Sequence, residues 1–339
     1  MTVPGGLEKL RRDLRRVARR SRKLRSFYYE TKSMSRRVYL EFMERRARIS
    51  ESDGSCQTGG VRPENMVWVF GSGRSGSTWI RSIFSEMGGH RIWEEPMVGK
   101  LFGEFHDKAD TESLRSAGFI LGDSTRNGWR RAIRNFVLEV ARYSYPRLGP
   151  GEYLIVKEPN GSIGASLLME AFPESRMVLL IRDPRDVVSS VLDASKKGGW
   201  LHERWDSGAS EQPGLADDNP DEFVESWARV YRDGVGNALR AYRSHRGPKA
   251  FVRYEDLVDN THAAMNRLYS DLGIPYSTAE LARAIKKFSW ANIPEKEKGP
   301  GKFFRKGRPG GWREDLTPEQ VRLVEEINAS ILREFYPPS

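Results

Sequence analysis

Apolar residues recur in two rhythms along this chain, and the change falls near residue 65. In the first segment Leu7, Leu10, Leu14, Val17, Leu24 and Tyr28 sit at alternating three- and four-residue steps, with Ser21 at the one interruption. That spacing predicts an amphipathic helix carrying an a/d-like stripe over about three heptads. Residues 50–65 are polar and glycine-rich and predict a linker. Beyond Asn65 the apolar runs shorten. Met66–Phe70 (MVWVF), Tyr153–Val156, Met177–Ile181 (MVLLI) and Ala250–Val252 predict strands. Thr78–Met87, Ile163–Phe172, Asp186–Ala194 and Thr261–Leu272 predict helices. Strands alternating with helices imply a parallel sheet covered on both faces, and continuous apolar runs are what such buried strands require. The expected fold is therefore α/β: a single three-layer domain with a central parallel sheet over 61–339, and a basic amphipathic helical extension with its linker over 1–60. Residues 196–222 predict a long polar loop, whose Trp200 and Trp205 are placed to cover a ligand.

Charge sharpens this division. The chain of 339 residues carries a net charge of +10, but residues 1–50 hold 16 Lys/Arg against 5 Asp/Glu, leaving 40 against 41 elsewhere. The basic excess belongs to the first fifty residues, so the high overall charge is no sign of a nucleic-acid-binding body. The basic helix fits three settings: packing on the body, an anionic membrane surface, or self-association through residues 7–28. No stretch reaches the roughly 18 consecutive apolar residues of a membrane-spanning helix. The N-terminus also lacks the apolar run of a secretory leader. With a single cysteine, Cys56, no internal disulfide forms, and a cytoplasmic location, with peripheral membrane contact left open, is the expectation.

The strongest local signal is strand–GSGRSGST–helix at 71–78. Glycines let the backbone turn tightly and present N–H groups to an anion, and the following helix adds its positive end. Ser75, Ser77 and Thr78 add hydroxyl donors around Gly76, and Arg74 adds a charged fork. This P-loop-like turn calls for a phosphate or a sulfate. Gly71 and Gly76 keep the spacing of an ATP-binding Walker loop, but Ser77 stands where that loop needs lysine. A P-loop ATP-dependent kinase is thus the alternative rather than the first reading.

The segment Arg74-Ser75-Gly76-Ser77-Thr78-Trp79 resembles the loop with which sulfotransferases bind 3′-phosphoadenosine 5′-phosphosulfate (PAPS). Three further segments resemble that family in its order. Leu180–Ser190 is similar to its second motif, which implies that Arg182 and Ser190 bind the 3′-phosphate. Arg253–Leu257 (RYEDL) is similar to its third, which implies that Tyr254 lines the adenine pocket. Phe303–Trp312 (FFRKGRPGGW) resembles its C-terminal loop, which implies that Arg305, Lys306 and Gly307 close over the 3′-phosphate. Gly311 departs from the acidic residue common before the Trp. The resemblance covers about 65–339. It implies a PAPS-dependent sulfotransferase with PAPS as co-substrate, 3′-phosphoadenosine 5′-phosphate (PAP) as product, no metal, and a hydroxyl-bearing acceptor that is a carbohydrate, glycolipid, peptide or other small molecule.

Sulfonate transfer asks for a cation where the leaving oxygen gains charge and a base for the acceptor proton. Lys157, in Lys157-Glu158-Pro159, resembles the strand-end lysine of tyrosylprotein-type members, and Arg74 is expected to share its task. Members with a histidine base carry it two residues after that lysine, where this chain has Pro159. Members with a Glu base place it shortly after the first helix, which points to Glu95, with neighbouring Glu94 second and His106 as a less favoured alternative.

Overall fold

A computed structural model describes residues 60–109, 111–116, 118–206 and 215–337. The expected basic helix, with its membrane and self-association roles, lies outside these residues. So does the middle of the 196–222 segment.

Five strands form one all-parallel sheet in the order β2-β3-β1-β4-β5, with β1 Met66–Gly71, β2 His90–Glu94, β3 Tyr153–Lys157, β4 Arg176–Ile181 and β5 Lys249–Arg253. β1 is buried along its whole length because alternate residues serve two cores. Met66, Trp68 and Phe70 join Leu154, Val156, Leu179 and Ile181 on one face. Val67 and Val69 join Ile155, Val178, Leu180 and Val252 on the other. Helix α1 (Ser77–Glu86) covers the second face with Ile80, Ile83 and Phe84, and Thr261–Leu272 packs beside it. The first face is covered by Arg126–Ser144, Pro184–Ser195 and Pro220–Ser244. The result is a three-layer α/β domain whose central strand runs into the phosphate loop. The connection after β1 runs to β2 on one side of the sheet and the connection after β4 runs to β5 on the other, and ligands of such sheets bind at that switch point.

Several expectations need correction. β2 was not anticipated: HRIWE is an edge strand, half-buried and half-polar, so it lacks the apolar run of its neighbours. The predicted helix at 163–172 begins instead as a 3-10 turn over Pro159–Gly164 and becomes α-helical only at Ala165–Ala171. The predicted loop 196–222 contains helices at Trp200–Asp206 and Leu215–Asp218, and a long helix starts at Pro220, capped by Asn219. The end of the predicted linker is part of the body: Val61 is buried, and Gly60 donates its N–H to Leu148 O at 2.8 Å. No helix among the described residues is long and apolar enough to cross a membrane.

Candidate active site

The phosphate loop leaves the sheet at Gly71, where only glycine fits: a Cβ there would lie 2.0 Å from Leu180 O. Gly71 N–H donates to Ser162 Oγ at 2.8 Å, and Ser75 Oγ closes the loop on Ser72 O at 2.6 Å. Arg74 and Gly76 both have left-handed backbones, φ 67° and 91°. Gly76 lies so close to the Tyr254 ring that a Cβ would be 2.7 Å from it. Trp79, in the first turn of α1, packs against the core of that face.

A cluster of cations gathers on one side of the loop. Arg74 Nε donates to Ser190 Oγ at 3.1 Å, and its Nη2 donates to Phe303 O at 2.6 Å. Arg182 Nη1 donates to Arg74 O at 3.0 Å, and its guanidinium lies 4.3 Å over the Tyr254 ring. Arg305 Nη1 donates to Ser189 Oγ at 2.9 Å. Burial, reinforced by the charges of Arg182 and Arg305, pushes the Arg74 guanidinium down to about 10. Buried Arg182 Nε and Ser72 Oγ have no hydrogen-bond partner. Mutually repelling cations and idle buried donors are conditions that an anion relieves. Carboxylates partly balance the cluster: Asp186 lies 3.8 Å from Arg182, Asp193 lies 3.3 Å from Arg305, Asp315 pairs with both Arg305 and Lys306, and Glu314 pairs with Lys306. Gly307, at φ 63°, lies against the Trp290 ring. Gly311, the departure noted in the sequence, leaves room for the Lys306 chain, whose Nζ reaches Gly311 O at 3.0 Å. Trp200 packs on Phe303, 5.2 Å between ring centroids, and faces Arg74 at 5.4 Å.

A second group stands at the end of β3. The Lys157 side chain is 5% exposed, and its Nζ donates to Glu95 Oε1 at 2.5 Å and to Glu94 Oε1 at 2.9 Å. Glu94 is also paired with Arg81 at 2.8 Å, whereas Glu95 accepts from Asn160 Nδ2 at 3.0 Å. Arg91, the nearest cation to these glutamates in sequence, is committed to Glu152. Arg74, expected to share the leaving-oxygen task, stands in other company than Lys157. Its guanidinium joins the Arg182 cluster, while Lys157 keeps company with glutamates. His106 falls in the last turn of the helix Val98–Asp107. His90 and His245 are core histidines, on Tyr269 OH at 3.0 Å and Ser175 O at 2.8 Å. Asn160, Ser162, Ser189 and Asp315 were not anticipated, because their roles arise only from tertiary approach.

The family model described as "Sulfotransferase family" matches residues 67–278. The chain belongs to the sulfotransferase family. The chain is 29% identical over 148 residues to omega-hydroxy-beta-dihydromenaquinone-9 sulfotransferase Stf3 of Mycobacterium bovis, a stretch of 43% of this chain and 34% of that protein. The match thus spans about a third of that relative's length. It is 23% identical to cytosolic sulfotransferase 16 of Arabidopsis thaliana, over 72% of this chain and 83% of that one. Among solved structures, sulfotransferase STF9 from Mycobacterium avium aligns with TM-score 0.50 and 16% identity, covering 82% of this chain and 78% of that one. Mouse sulfotransferase SULT7A1 complexed with PAP aligns with TM-score 0.50 and 17% identity, covering 83% and 88%. These likenesses share the fold described above.

The idle donors of the cation cluster fit a phosphate ester, so PAPS as co-substrate agrees with the residues present. Arg182→Ala is expected to weaken PAP binding by about 10- to 100-fold, the value of one charge-assisted contact. Calorimetric titration of the variant checks this, and an unchanged affinity would show that Arg182 serves only its contacts within the protein, with Arg74 O, the Tyr254 ring and Asp186.

Proposed function

We propose that this sulfotransferase transfers the sulfonate in line, with Glu95 as general base and Lys157 as the cation at the leaving oxygen. The bound nucleotide supplies the sulfonate and a phosphate leaving group. Glu95 accepts the proton of the acceptor hydroxyl as the acceptor oxygen–sulfur bond forms. Lys157 Nζ meets the negative charge that appears on the bridging oxygen as the sulfur–oxygen bond breaks. Arg182, Ser190, Arg305 and Lys306 hold the 3′-phosphate, and Tyr254 with Trp79 flanks the nucleotide. The observation that carries this reading is the 2.5 Å contact between buried Lys157 and Glu95 at the end of β3, next to the strand that bears the phosphate loop. The kinase alternative is not favoured: Asp183, the carboxylate after β4, is bonded to Arg185 N at 2.9 Å and to its guanidinium at 2.7 Å.

We infer further that the acceptor is an amphiphile bearing a hydroxyl. On Val98–Asp107, the helix that follows Glu95, Leu101 is 58% and Phe105 53% exposed. Phe102 of the same helix packs on Phe136, itself exposed on the helix Arg126–Ser144, at 5.9 Å. Exposed apolar groupings of this kind mark binding surfaces. The mycobacterial relative is named for a menaquinone acceptor. The basic segment 1–50 fits an anionic interface, where such an acceptor resides. PAP release from PAPS tests the reading, with a hydroxylated isoprenoid in anionic or neutral mixed micelles set against a soluble sugar and a phenol. The isoprenoid in anionic micelles is expected to react at least ~10-fold faster than the soluble acceptors. Preference for the sugar or the phenol would overturn the amphiphile assignment.

A further inference from the structure

The Lys157–Glu95 contact is held by an interlock between the end of β3 and the turn after β2, and Glu158 lies at its centre. Glu95 N–H donates to Lys157 O at 2.9 Å. Glu158 is wholly buried, and its two oxygens accept from Met97 N at 3.0 Å and from Gly99 N at 3.1 Å. Asn160 then reaches back to Glu95. The gripped turn is one that the backbone resists: Glu95 and Met97 have left-handed φ of 43° and 60°, unusual for residues other than glycine. Met97 is also the N-cap of the helix Val98–Asp107 and its own side chain makes no capping bond, so Glu158 supplies the acceptors that this helix start lacks. The seat is cut to the carboxylate. A Cβ on Gly161 would lie 2.0 Å from Glu158 Oε1, and a Cβ on Gly99 would lie 2.0 Å from Gly161 O. A buried carboxylate is costly, so one tied to such a turn calls for a role.

We propose that Glu158 is a positioning residue for sulfonate transfer, holding the 95–99 turn so that the Glu95 carboxylate stays on Lys157. This rests on the reading of Glu95 as the base. Burial pushes the Glu158 carboxyl up to about 7, the two N–H donors oppose this, and among charged groups Glu95 adds to it while Lys157 subtracts. The packed parts of Val98–Asp107 and Pro159–Gly164 bring glycines rather than charges against it. Ionised, Glu158 offers both oxygens as acceptors. Protonated, one oxygen becomes a donor facing an N–H, and one bond of the grip is lost. The grip therefore strengthens as pH rises through about 7.

The test compares the full-length parent with Glu158→Gln and Glu158→Asp, reading kcat, acceptor KM, PAP affinity and the pH profile. Displacing a base by about 1 Å costs on the order of 100-fold in rate, so Glu158→Gln is expected to lose 30- to 100-fold in kcat, with about the same PAP affinity. Its rate should no longer rise near neutral pH, whereas Glu158→Asp, ionisable but shorter, should recover part of the rate and keep that rise. A Glu158→Gln enzyme with the parental kcat and pH profile would overturn the proposal. If the glutamine variant does not fold by circular dichroism, Glu158→Asp decides alone: parental kcat overturns the grip, and a reduced kcat at unchanged PAP affinity supports it. Failure of the base is separate, since an active Glu95→Gln enzyme removes the base whatever Glu158 does.

Discussion

Lys157→Ala is expected to lower kcat by about three orders of magnitude while leaving PAP affinity within about threefold, the pattern of a group that acts on charge appearing only in the transition state. The expectation follows from where the ammonium sits. It is the buried end of a central strand, held by Glu94 and Glu95, and it stands apart from the cations gathered around Arg182. Removing it takes away the cation nearest the proposed base. It also leaves two carboxylates facing each other, so melting temperatures of parent and variant should be recorded together. Steady-state rates at saturating PAPS, paired with PAP calorimetry, separate the two effects. A fall in PAP affinity that parallels the fall in kcat would make Lys157 a binding cation instead.

Glu95→Gln is expected to reduce kcat by about 10²- to 10⁴-fold, the contribution of a positioned base, while Glu94→Gln stays within a few-fold of the parent. The two glutamates share Lys157 but differ in their second partners. Glu94 is 43% exposed and tied to Arg81, so its role is a salt bridge at the strand end. Glu95 is 26% exposed, held by Asn160, and set on a left-handed backbone that turns it from the strand. Glutamine keeps the shape of Glu95 and an oxygen for Lys157, so the loss isolates proton acceptance. If Glu94→Gln proves the slower enzyme, the roles are reversed.

Much of this was legible in the sequence, for identifiable reasons. MVWVF and MVLLI announce central strands because both their faces are buried. The loop at 71–78 is legible because its backbone needs glycine at Gly71 and Gly76, and strand-end Lys157 is legible by its place in a family pattern. What escaped depends on the third dimension. β2 is an edge strand with few buried residues, so its polar half hides it. The burial of Glu158 has no sign in the sequence, since carboxylates are seldom fully buried, and only the approach of Gly99 and Gly161 closes its seat. Arg74 lies within the loop in sequence, yet its side chain extends to Ser190, more than a hundred residues away. Asp315 could not be matched to Arg305 and Lys306 until the C-terminal loop was folded back on Ser189.

The most direct test of the site as a whole is calorimetric titration of the full-length protein with PAP, with 5′-AMP, and with ATP and magnesium. Recognition of a separate 3′-phosphate by Arg182, Ser190 and Arg305 predicts that PAP binds at least ~100-fold more tightly than AMP, and that ATP with magnesium binds no better than AMP. Tight binding of ATP with magnesium, with PAP no better than AMP, would contradict the account and return the loop to the kinase reading.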